Sequence, residues 1–241
     1  MKFGAVKIAL QKIFLMRRSW LLLPVVLILF SCKHTGTFTV DGVVPDTVFN
    51  GSKVYLVALD GPITKRVDST VLTDGKFHFE MKADTLGVRI LRIPFRLPDM
   101  VEDLVVVTEA GTMTAELSSD SHGSGTPLNN KLQGWKDKKR AYERMQQAIF
   151  NNIKEAGSDS LKADSLKKYS AKLSALFKAD NRKMMRENIK NGIGLLLFKV
   201  YYHDLSAEER KEILEHTGTL YPDHDAQLKL MISNDQDLKN R

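Results

Sequence analysis

Hydrophobic and polar residues alternate in steps of two through the first half of the chain. From Gly36 onward Phe38 and Val40 alternate with polar neighbours, which is typical of a strand with one buried face. Further short runs follow between Gly, Pro and Asp turns, and Asp74-Gly75 is typical of a tight hairpin. The predicted strands cover residues 37–41, 53–59, 63–72, 77–81, 87–93, 104–108 and 112–117. This spacing predicts an antiparallel β-sandwich or an open barrel of about seven strands.

The hydrophobic period changes after a stretch rich in Ser and Gly, residues 118–127, which we interpret as a linker. Apolar residues then recur every three or four positions from Leu128 to Ile153, and Gly157 is placed to end the helix that they predict. A second helix follows, capped by one of three residues and ending at Asn191-Gly192. The three candidate caps are Ser158, Asp159 and Ser160. The short loop predicts a long antiparallel helical hairpin.

The remaining sequence also predicts helices. Residues 193–202 are almost wholly apolar and predict a buried helix, whereas Ser206 and Glu209 have the spacing of a capping box. Pro222 is expected to open a last helix that runs to residue 232. The fold class is therefore α+β, with a β-rich domain at residues 36–117, the linker at 118–127 and a helical region at 128–241.

The longest apolar run lies near the start of the chain, from Trp20 to Phe30. Five basic residues and no acidic one precede it, and the run is shorter than the roughly 20 residues of a membrane-spanning helix. This pattern predicts a signal peptide at residues 1–31, whose start is either Met1 or Met16. Leu29-Phe30-Ser31-Cys32 closes the run and resembles the lipobox of bacterial lipoproteins. The alternative is that Cys32 is an ordinary apolar residue at the end of an uncleaved helix.

The lipobox resemblance implies a location and a lipid partner. In such lipoproteins the residue at Cys32 carries a diacylglycerol and, after cleavage, an acylated amine, and several acyl chains together give durable anchoring. Residues 32–35 would then be a lipidated tether. The resemblance implies a protein of the bacterial cell envelope, anchored to lipid of the outer membrane on its periplasmic or its surface face.

Charge and cysteine content exclude two classes of function. The chain carries a net charge of +7, but the part after residue 31 keeps 31 of the 36 basic residues and all 29 acidic ones, a net charge of +2. We therefore expect no nucleic-acid partner. Cys32 is the only cysteine, so the chain has no C-x-x-C motif and cannot work as a dithiol oxidoreductase by itself.

A series of short motifs, in a fixed order, resembles a known family. The motifs are Lys53-Val54-Tyr55-Leu56, Asp68-Ser69-Thr70, Gly75-Lys76-Phe77-His78-Phe79, Glu109-Ala110-Gly111-Thr112 and Gly125-Thr126-Pro127-Leu128-Asn129. They are similar to a domain of unknown function that stands at the N-terminus of bacterial thioredoxin-like, thiol-disulfide reductase lipoproteins. The resemblance covers residues 36–232.

The resemblance implies a partner rather than a catalyst. Where relatives continue into a C-x-x-C domain, this sequence ends at Arg241, so the reductase activity of the family is not carried over. We expect no enzyme activity, no catalytic residue and no cofactor. The family link instead implies docking to a separate redox or envelope protein.

Two groups of residues are candidates for chemistry. Ser124 follows His122 in a Gly-Ser-Gly sequence, but it lacks the G-x-S-x-G elbow that would position a nucleophile. His216 and Asp223-His224-Asp225 have metal-ligand chemistry, although Asp223 and Asp225 also suit a helix N-terminus. We therefore predict neither catalysis nor a metal site.

Basic and aromatic residues of the helices give two further candidates. The runs at residues 136–140 and 182–183 could bind anionic head groups or an acidic partner, but we favour solvated helix faces, because alternating charge beside an apolar stripe is their usual pattern. Trp135, Tyr142, Tyr201 and Tyr202 could line a ligand groove, although their spacing favours a core. The leading interpretation is a noncatalytic lipoprotein that binds an envelope component, and the alternative is a small-molecule or glycan-binding lipoprotein. A hydrolase has the least support.

Overall fold

The computed structural model describes residues 36–59 and 61–235, and these belong to a single compact unit. The predicted signal peptide, the tether and Cys32 lie outside the described residues. The order of elements confirms the α+β class, with strands first and helices after them. None of the helices in the described ranges is long and apolar enough to cross a membrane.

Eight strands in the described residues form two open four-stranded sheets. The strands are β1 (Thr37–Val43), β2 (Lys53–Ala58), β3 (Arg66–Val71), β4 (Lys76–Lys82), β5 (Val88–Arg92), β6 (Leu104–Val107), β7 (Gly111–Glu116) and β8 (His122–Ser124). One sheet has the order β4-β1-β7-β8 and the other β3-β2-β5-β6. The pairings are antiparallel except for β1 and β7, which run parallel. The expected all-antiparallel pairing is therefore wrong at this one place.

The two sheets pack face to face around a shared apolar core. Phe38, Phe79 and Met113 from the first sheet pack in one cluster with Leu56 and Leu104 from the second. Asp74 and Gly75 form the predicted turn, with positive φ values of 51° and 71°. The turn leads from β3 in the second sheet to β4 in the first, so these strands do not pair as the predicted hairpin. The alternating pattern thus predicts the sandwich correctly, because one face of each strand is buried between the sheets.

Helices follow the sandwich and cover the outer face of its second sheet. They are α1 (Pro127–Ala156), α2 (Ser160–Glu187), α3 (Gly192–Val200), α4 (Ala207–Thr217), α5 (Leu220–His224) and α6 (Ala226–Asn234). Leu132, Leu197 and Tyr221 from the helices form a second core with Val88 and Val107 of β5 and β6. Strand β6 is wholly apolar because it is buried on both faces, whereas β5 carries Arg89 and Arg92 beside its buried Val88, Ile90 and Leu91.

Gly192 lets α3 begin directly on the sheet. A Cβ atom at this position would lie 3.1 Å from methyl groups of both Val88 and Val107, closer than ordinary packing allows. The Gly192 N–H donates to the Thr85 carbonyl at 2.7 Å, which fixes the approach of the helix. A larger residue here would push α3 away from the sandwich.

Most helix boundaries agree with the sequence patterns. Asp159 caps α2, Gly157 ends α1 with a φ of 53°, and Ser206 and Glu209 form the predicted capping box. Two boundaries differ. Asn191 does not end α2 but caps α3, where its side chain accepts the Ile193 N–H. Pro222 does not open the last helix but lies inside α5. The last helix, α6, is instead capped by Asp225, whose side chain accepts the Leu228 N–H.

The stretch at residues 118–127 differs from the expected flexible linker. It contains β8, and Ser121 is fully buried, where its hydroxyl donates to the Glu102 carbonyl at 2.6 Å and accepts the Ser118 N–H at 3.0 Å. Its Ser and Gly residues are required by close packing rather than by flexibility. A Cβ at Gly123, for example, would lie 2.6 Å from the Met113 methyl group.

Candidate functional site: the helical arm and the far end of the sandwich

Two of the five motifs that resemble a family, at residues 109–112 and 125–129, meet at the joint between the sandwich and α1. The Glu109 side chain accepts the Leu128 and Asn129 N–H groups at the start of the helix. The buried Asn129 amide accepts the Val107 N–H at 2.9 Å and donates to the Val107 carbonyl at 2.8 Å. It thereby satisfies the edge of β6 as another strand would. These residues hold the fold together, and none of them projects a reactive group into a cleft.

Ser124 and His122 do not form a catalytic pair. Both are exposed residues of β8, and the Ser124 hydroxyl lies 3.3 Å from the Thr114 hydroxyl. The His122 Nδ1 instead lies 3.3 Å from the Asp120 carbonyl oxygen. The histidine therefore gives Ser124 no base in this arrangement, in agreement with the missing elbow.

His216, His224 and Asp225 of the candidate metal group have structural partners. His216 Nδ1 and His224 Nδ1 lie 2.7 and 2.8 Å from carbonyl oxygens of the preceding helical turn. Asp225 pairs with Lys199 at 2.6 Å in a buried ion pair and also caps α6. Within the described residues no group of three or more His, Cys, Asp or Glu side chains could hold a metal ion.

The four aromatic candidates are distributed through the helical region rather than gathered in one groove. Trp135 Nε1 donates to Asn181 at 2.8 Å, and Tyr202 donates to Asp235 at 2.8 Å. Burial raises the pKa of Tyr201 to about 12, so its hydroxyl stays protonated at neutral pH. Tyr142 lies on α1, where its ring stacks on Phe177 of α2 with centroids 4.2 Å apart.

Most of the basic runs brace the fold. Lys136 donates to the Ser121 carbonyl at 3.0 Å, and burial lowers the pKa of its ammonium group. Arg140 forms ion pairs with Glu102 and Asp120. Arg182 pairs with Glu209 at 2.6 Å. These cations join α1 to the sandwich and α2 to α4, so they are not a free lipid-binding surface.

The register of the strands and the contacts of α1 show where the hairpin points. The Thr126 side chain, at the start of α1, lies near Gly111. Gly111 is in turn the strand partner of Phe38, which is near the start of β1. The helix α1 therefore begins at the same end of the sandwich as β1. Arg140, four turns later, pairs with Glu102 and Asp120 at the opposite end. Residues 141–156 therefore continue about 24 Å beyond the sandwich, given a rise of about 1.5 Å per residue.

We call the part of the hairpin between Glu143 and Leu176 the arm. Among its residues Ile149 is the only buried one, which shows that the arm packs mainly against itself. Hydrogen bonds cross between its helices, where Ser170 donates to Gln146 at 2.6 Å and Gln146 donates to the Ser170 carbonyl at 3.3 Å. The two helices of the arm are thus held to each other where they project from the far end of the sandwich.

An open groove of about 830 Å³ runs along one side of the arm. Its apolar lining consists of Tyr142, Ile149, Phe150, Ile153 and Ala171. Phe150 is 51% exposed, which is unusual for so large an apolar side chain. The Lys154 ammonium lies 4.4 Å from the centre of the Phe150 ring and places a positive charge at the edge of the groove.

A second apolar surface lies at the base of the arm, in the loop between β5 and β6. Phe95, Leu97 and Met100 are 68%, 73% and 59% exposed. The loop is held at both sides, because Arg96 donates to the Val48 carbonyl at 2.9 Å and Glu102 pairs with Arg140 of α1. We call the groove and this loop together the distal surface. Exposed apolar residues grouped in this way are typical of interaction sites.

Sequence reasoning found Tyr142 but missed the distal surface. The apolar residues of the arm fit a helical stripe and therefore predicted a core, whereas the hairpin extends beyond the other elements that the structure describes. The loop gave a clearer signal, since Phe95, Leu97 and Met100 lie among prolines and charged residues in a segment that cannot form a central strand. Cys32, the one predicted modification site, lies outside the described residues.

The comparisons with known proteins identify a family without an activity. Residues 38–132 match the family model described as a domain of unknown function (DUF4369), so the match covers the sandwich and the first turns of α1. It ends before the arm. No curated protein and no solved structure matches the chain.

Proposed function

Residues 38–132 belong to the DUF4369 family, which has no assigned activity, and from this premise we propose that the protein is a noncatalytic lipoprotein of the bacterial envelope that binds a protein partner through its distal surface. The observation that carries the proposal is the arm, a projecting helical hairpin with an exposed apolar groove. A structure that needed the arm only for stability would bury its apolar residues.

The proposed anchor and the distal surface would lie at opposite ends of the molecule. Lipidation at Cys32 would leave only Lys33, His34 and Thr35 between the lipid and Gly36, the residue before β1. The seven residues of β1 span about 23 Å, and the arm adds about 24 Å. The tip of the arm therefore lies about 45 Å from the tethered end, in reach of a protein rather than of the anchoring membrane.

Affinity isolation from detergent-solubilised envelope tests the proposal. The intact protein is compared with a Phe150→Ser variant and with Val67→Ser as a matched control, because Val67 lies on β3 and is 47% exposed, close to the exposure of Phe150. We expect a stoichiometric protein partner with the intact chain and the control, and much less with Phe150→Ser. A redox protein that acts in trans is one such partner. Equal recovery with all three proteins would contradict the proposal.

One observation favours the second candidate, a small-molecule or glycan-binding lipoprotein. A cleft of about 290 Å³ lies between the sandwich and the helices and is lined by Lys65, Arg89, His224 and Gln227. The buried Arg89 Nε has no hydrogen-bond partner in the described part of the chain. Stabilisation of the purified protein by small anions or sugars, in the absence of any protein partner, would favour this candidate.

A further inference from the structure

The arm has the geometry of a helical bundle that lacks one member. Two antiparallel helices bury apolar residues along one seam only, and a third helix packed at about 8–10 Å from both covers the remaining apolar face. The groove between α1 and α2 has this position, since residues of both helices line it and Ile149 and Ile153 form part of its floor. A helix laid in the groove would bury the exposed faces of Phe150 and Tyr142.

Charge around the groove indicates the chemistry of that helix. The arm itself, residues 143–176, includes six basic and four acidic residues. Glu143, which lines the groove, pairs with Lys139, and Lys167, which also lines it, pairs with Asp164 at 3.1 Å. Basic residues without an ion-pair partner in the described chain remain along the arm. These are Arg144, Lys154, Lys162, Lys168 and Lys172.

The same charge argues against the two other occupants that an apolar groove could take. A second copy of the chain would bring two basic arms together, and like charges at an interface oppose association. A lipid surface would attract the lysines, but with the anchoring described under the proposed function the groove lies tens of ångströms from the tethered end. A concave groove also fits a rod better than it fits a flat membrane.

We propose that the groove binds an acidic amphipathic helix of another protein, which completes a three-helix bundle with α1 and α2. Its apolar stripe covers Phe150 and Ile153, and its carboxylates face Lys154 and Lys167. At the base of the arm the same helix, or the chain next to it, contacts Phe95 and Leu97 of the loop. This inference rests on the proposed function and specifies the partner's binding segment.

The test places a photo-activated cross-linking residue at Phe150 in the full-length protein in its own cells, with Val67 as the matched control site. Mass spectrometry then maps the segment that is cross-linked. We expect Phe150, but not Val67, to capture a segment of another protein with a net negative charge and apolar residues at helical spacing. Capture of a second copy, of lipid, or of a basic or non-helical segment would overturn the inference.

The failures of the two proposals are distinguishable. The partner could be cross-linked through a segment of different chemistry, or it could be recovered by affinity isolation without any cross-link at Phe150. Either result overturns the proposal of an acidic helix and leaves the proposed function standing. Absence of a protein from both experiments overturns both. The two proposals therefore do not depend on one readout.

A binding measurement tests the charge argument separately. The mapped segment, made as a peptide, is titrated into the purified full chain and into Lys154→Glu/Lys167→Glu. We expect the double variant to bind at least tenfold more weakly, and binding to the unchanged protein to weaken with added salt. The control is Lys82→Glu/Lys190→Glu, two exposed positions outside the arm, with unchanged affinity. Equal binding by both variants would overturn the role of charge.

Discussion

At the scale of single residues, Asn129 carries the joint between the sandwich and the helices. Its amide makes three hydrogen bonds, two with the Val107 backbone and one with the Thr126 hydroxyl at 2.8 Å, and the residue is buried. A polar backbone group that loses its partner in such a place costs about 1–3 kcal/mol. The joint therefore depends on this polar side chain as well as on the apolar contacts around it.

We expect Asn129→Ala to lower the free energy of unfolding by roughly 3 kcal/mol, because the Val107 N–H and carbonyl would both lose their partner. The matched control is Asn151→Ala, an exposed residue of α1 whose side chain bonds only Gln147 at 3.0 Å. This control should change the free energy by no more than about 0.5 kcal/mol. Urea denaturation measures both, and similar values for the two variants would contradict the role of Asn129.

Glu209 links the capping box of α4 to α2 and makes stability depend on pH. The pKa of the Glu209 carboxyl is lowered mainly by its hydrogen bond with Arg182. The hydrogen bond that the carboxyl accepts from the Ser206 backbone also lowers this pKa. A carboxyl whose pKa is lower in the folded state stabilises the fold above its unfolded pKa, about 4.3. That stabilisation is lost as the pH falls through the folded value.

We therefore expect Glu209→Gln to destabilise the protein by about 1 kcal/mol at pH 7 and to have almost no effect once the pH is below the lowered pKa. Glu215→Gln on the same helix is the control, since Glu215 is exposed and pairs with Lys211 only at 4.0 Å. Thermal unfolding at a series of pH values compares them. A difference that persists unchanged in acid would contradict the ion pair as its cause.

The sequence was informative about residues whose partners are near in the chain. The capping box was predicted because Ser206 and Glu209 are three positions apart and bond each other's backbone. The role of Asn129 could not be predicted, because Val107 lies 22 residues away and only the folded sandwich brings the two together.

At the scale of elements, the arm is distinct from the rest of the fold. Strands and helices with one buried face were predicted by their periodicity, and the hairpin was predicted with them. Strand β8 was missed because His122-Gly123-Ser124 has no apolar alternation and is fixed by pairing with β7. That the arm is exposed could not be predicted either, since its apolar stripe is the same whether or not another element covers it.

We expect removal of the arm to leave the remaining fold intact. The Tyr142 and Phe177 rings stack 4.2 Å apart, so about four Gly or Ser residues can replace residues 143–176. The deletion removes a single buried residue, Ile149, and we expect one cooperative thermal transition within a few degrees of the full protein. Loss of cooperativity would show that the arm is part of the core. Leu132→Ala, a change inside the core, should by contrast cost about 2–5 kcal/mol.

At the scale of the whole molecule, the proposed lipid anchor and the proposed binding surface lie at opposite ends. The anchor was proposed from the sequence, because a basic flank, a short apolar run and Cys32 lie next to one another. The binding surface required the structure, since the groove and the loop come from segments about 50 residues apart in the chain. The family supplies the sandwich between them.

We predict that the mature N-terminus is Cys32 carrying lipid. Mass spectrometry of the protein from its native membrane should show a peptide that begins at Cys32 and is heavier by the mass of the acyl chains, and Cys32→Ser should abolish both cleavage and membrane retention. A free thiol at Cys32, or an intact Trp20–Phe30 segment in the membrane-bound protein, would contradict the proposed lipid anchor. This experiment does not test the proposed binding surface.

The measurement that tests the central claim most directly is the amount of partner that co-purifies with the arm-deleted protein from solubilised envelope. Because the deletion is expected to leave the sandwich and the core helices folded, any loss of partner reports on the arm itself. The account predicts a stoichiometric partner with the full-length protein and its near-complete absence with the arm-deleted one. Full recovery of the partner by a folded, arm-deleted protein would contradict the account.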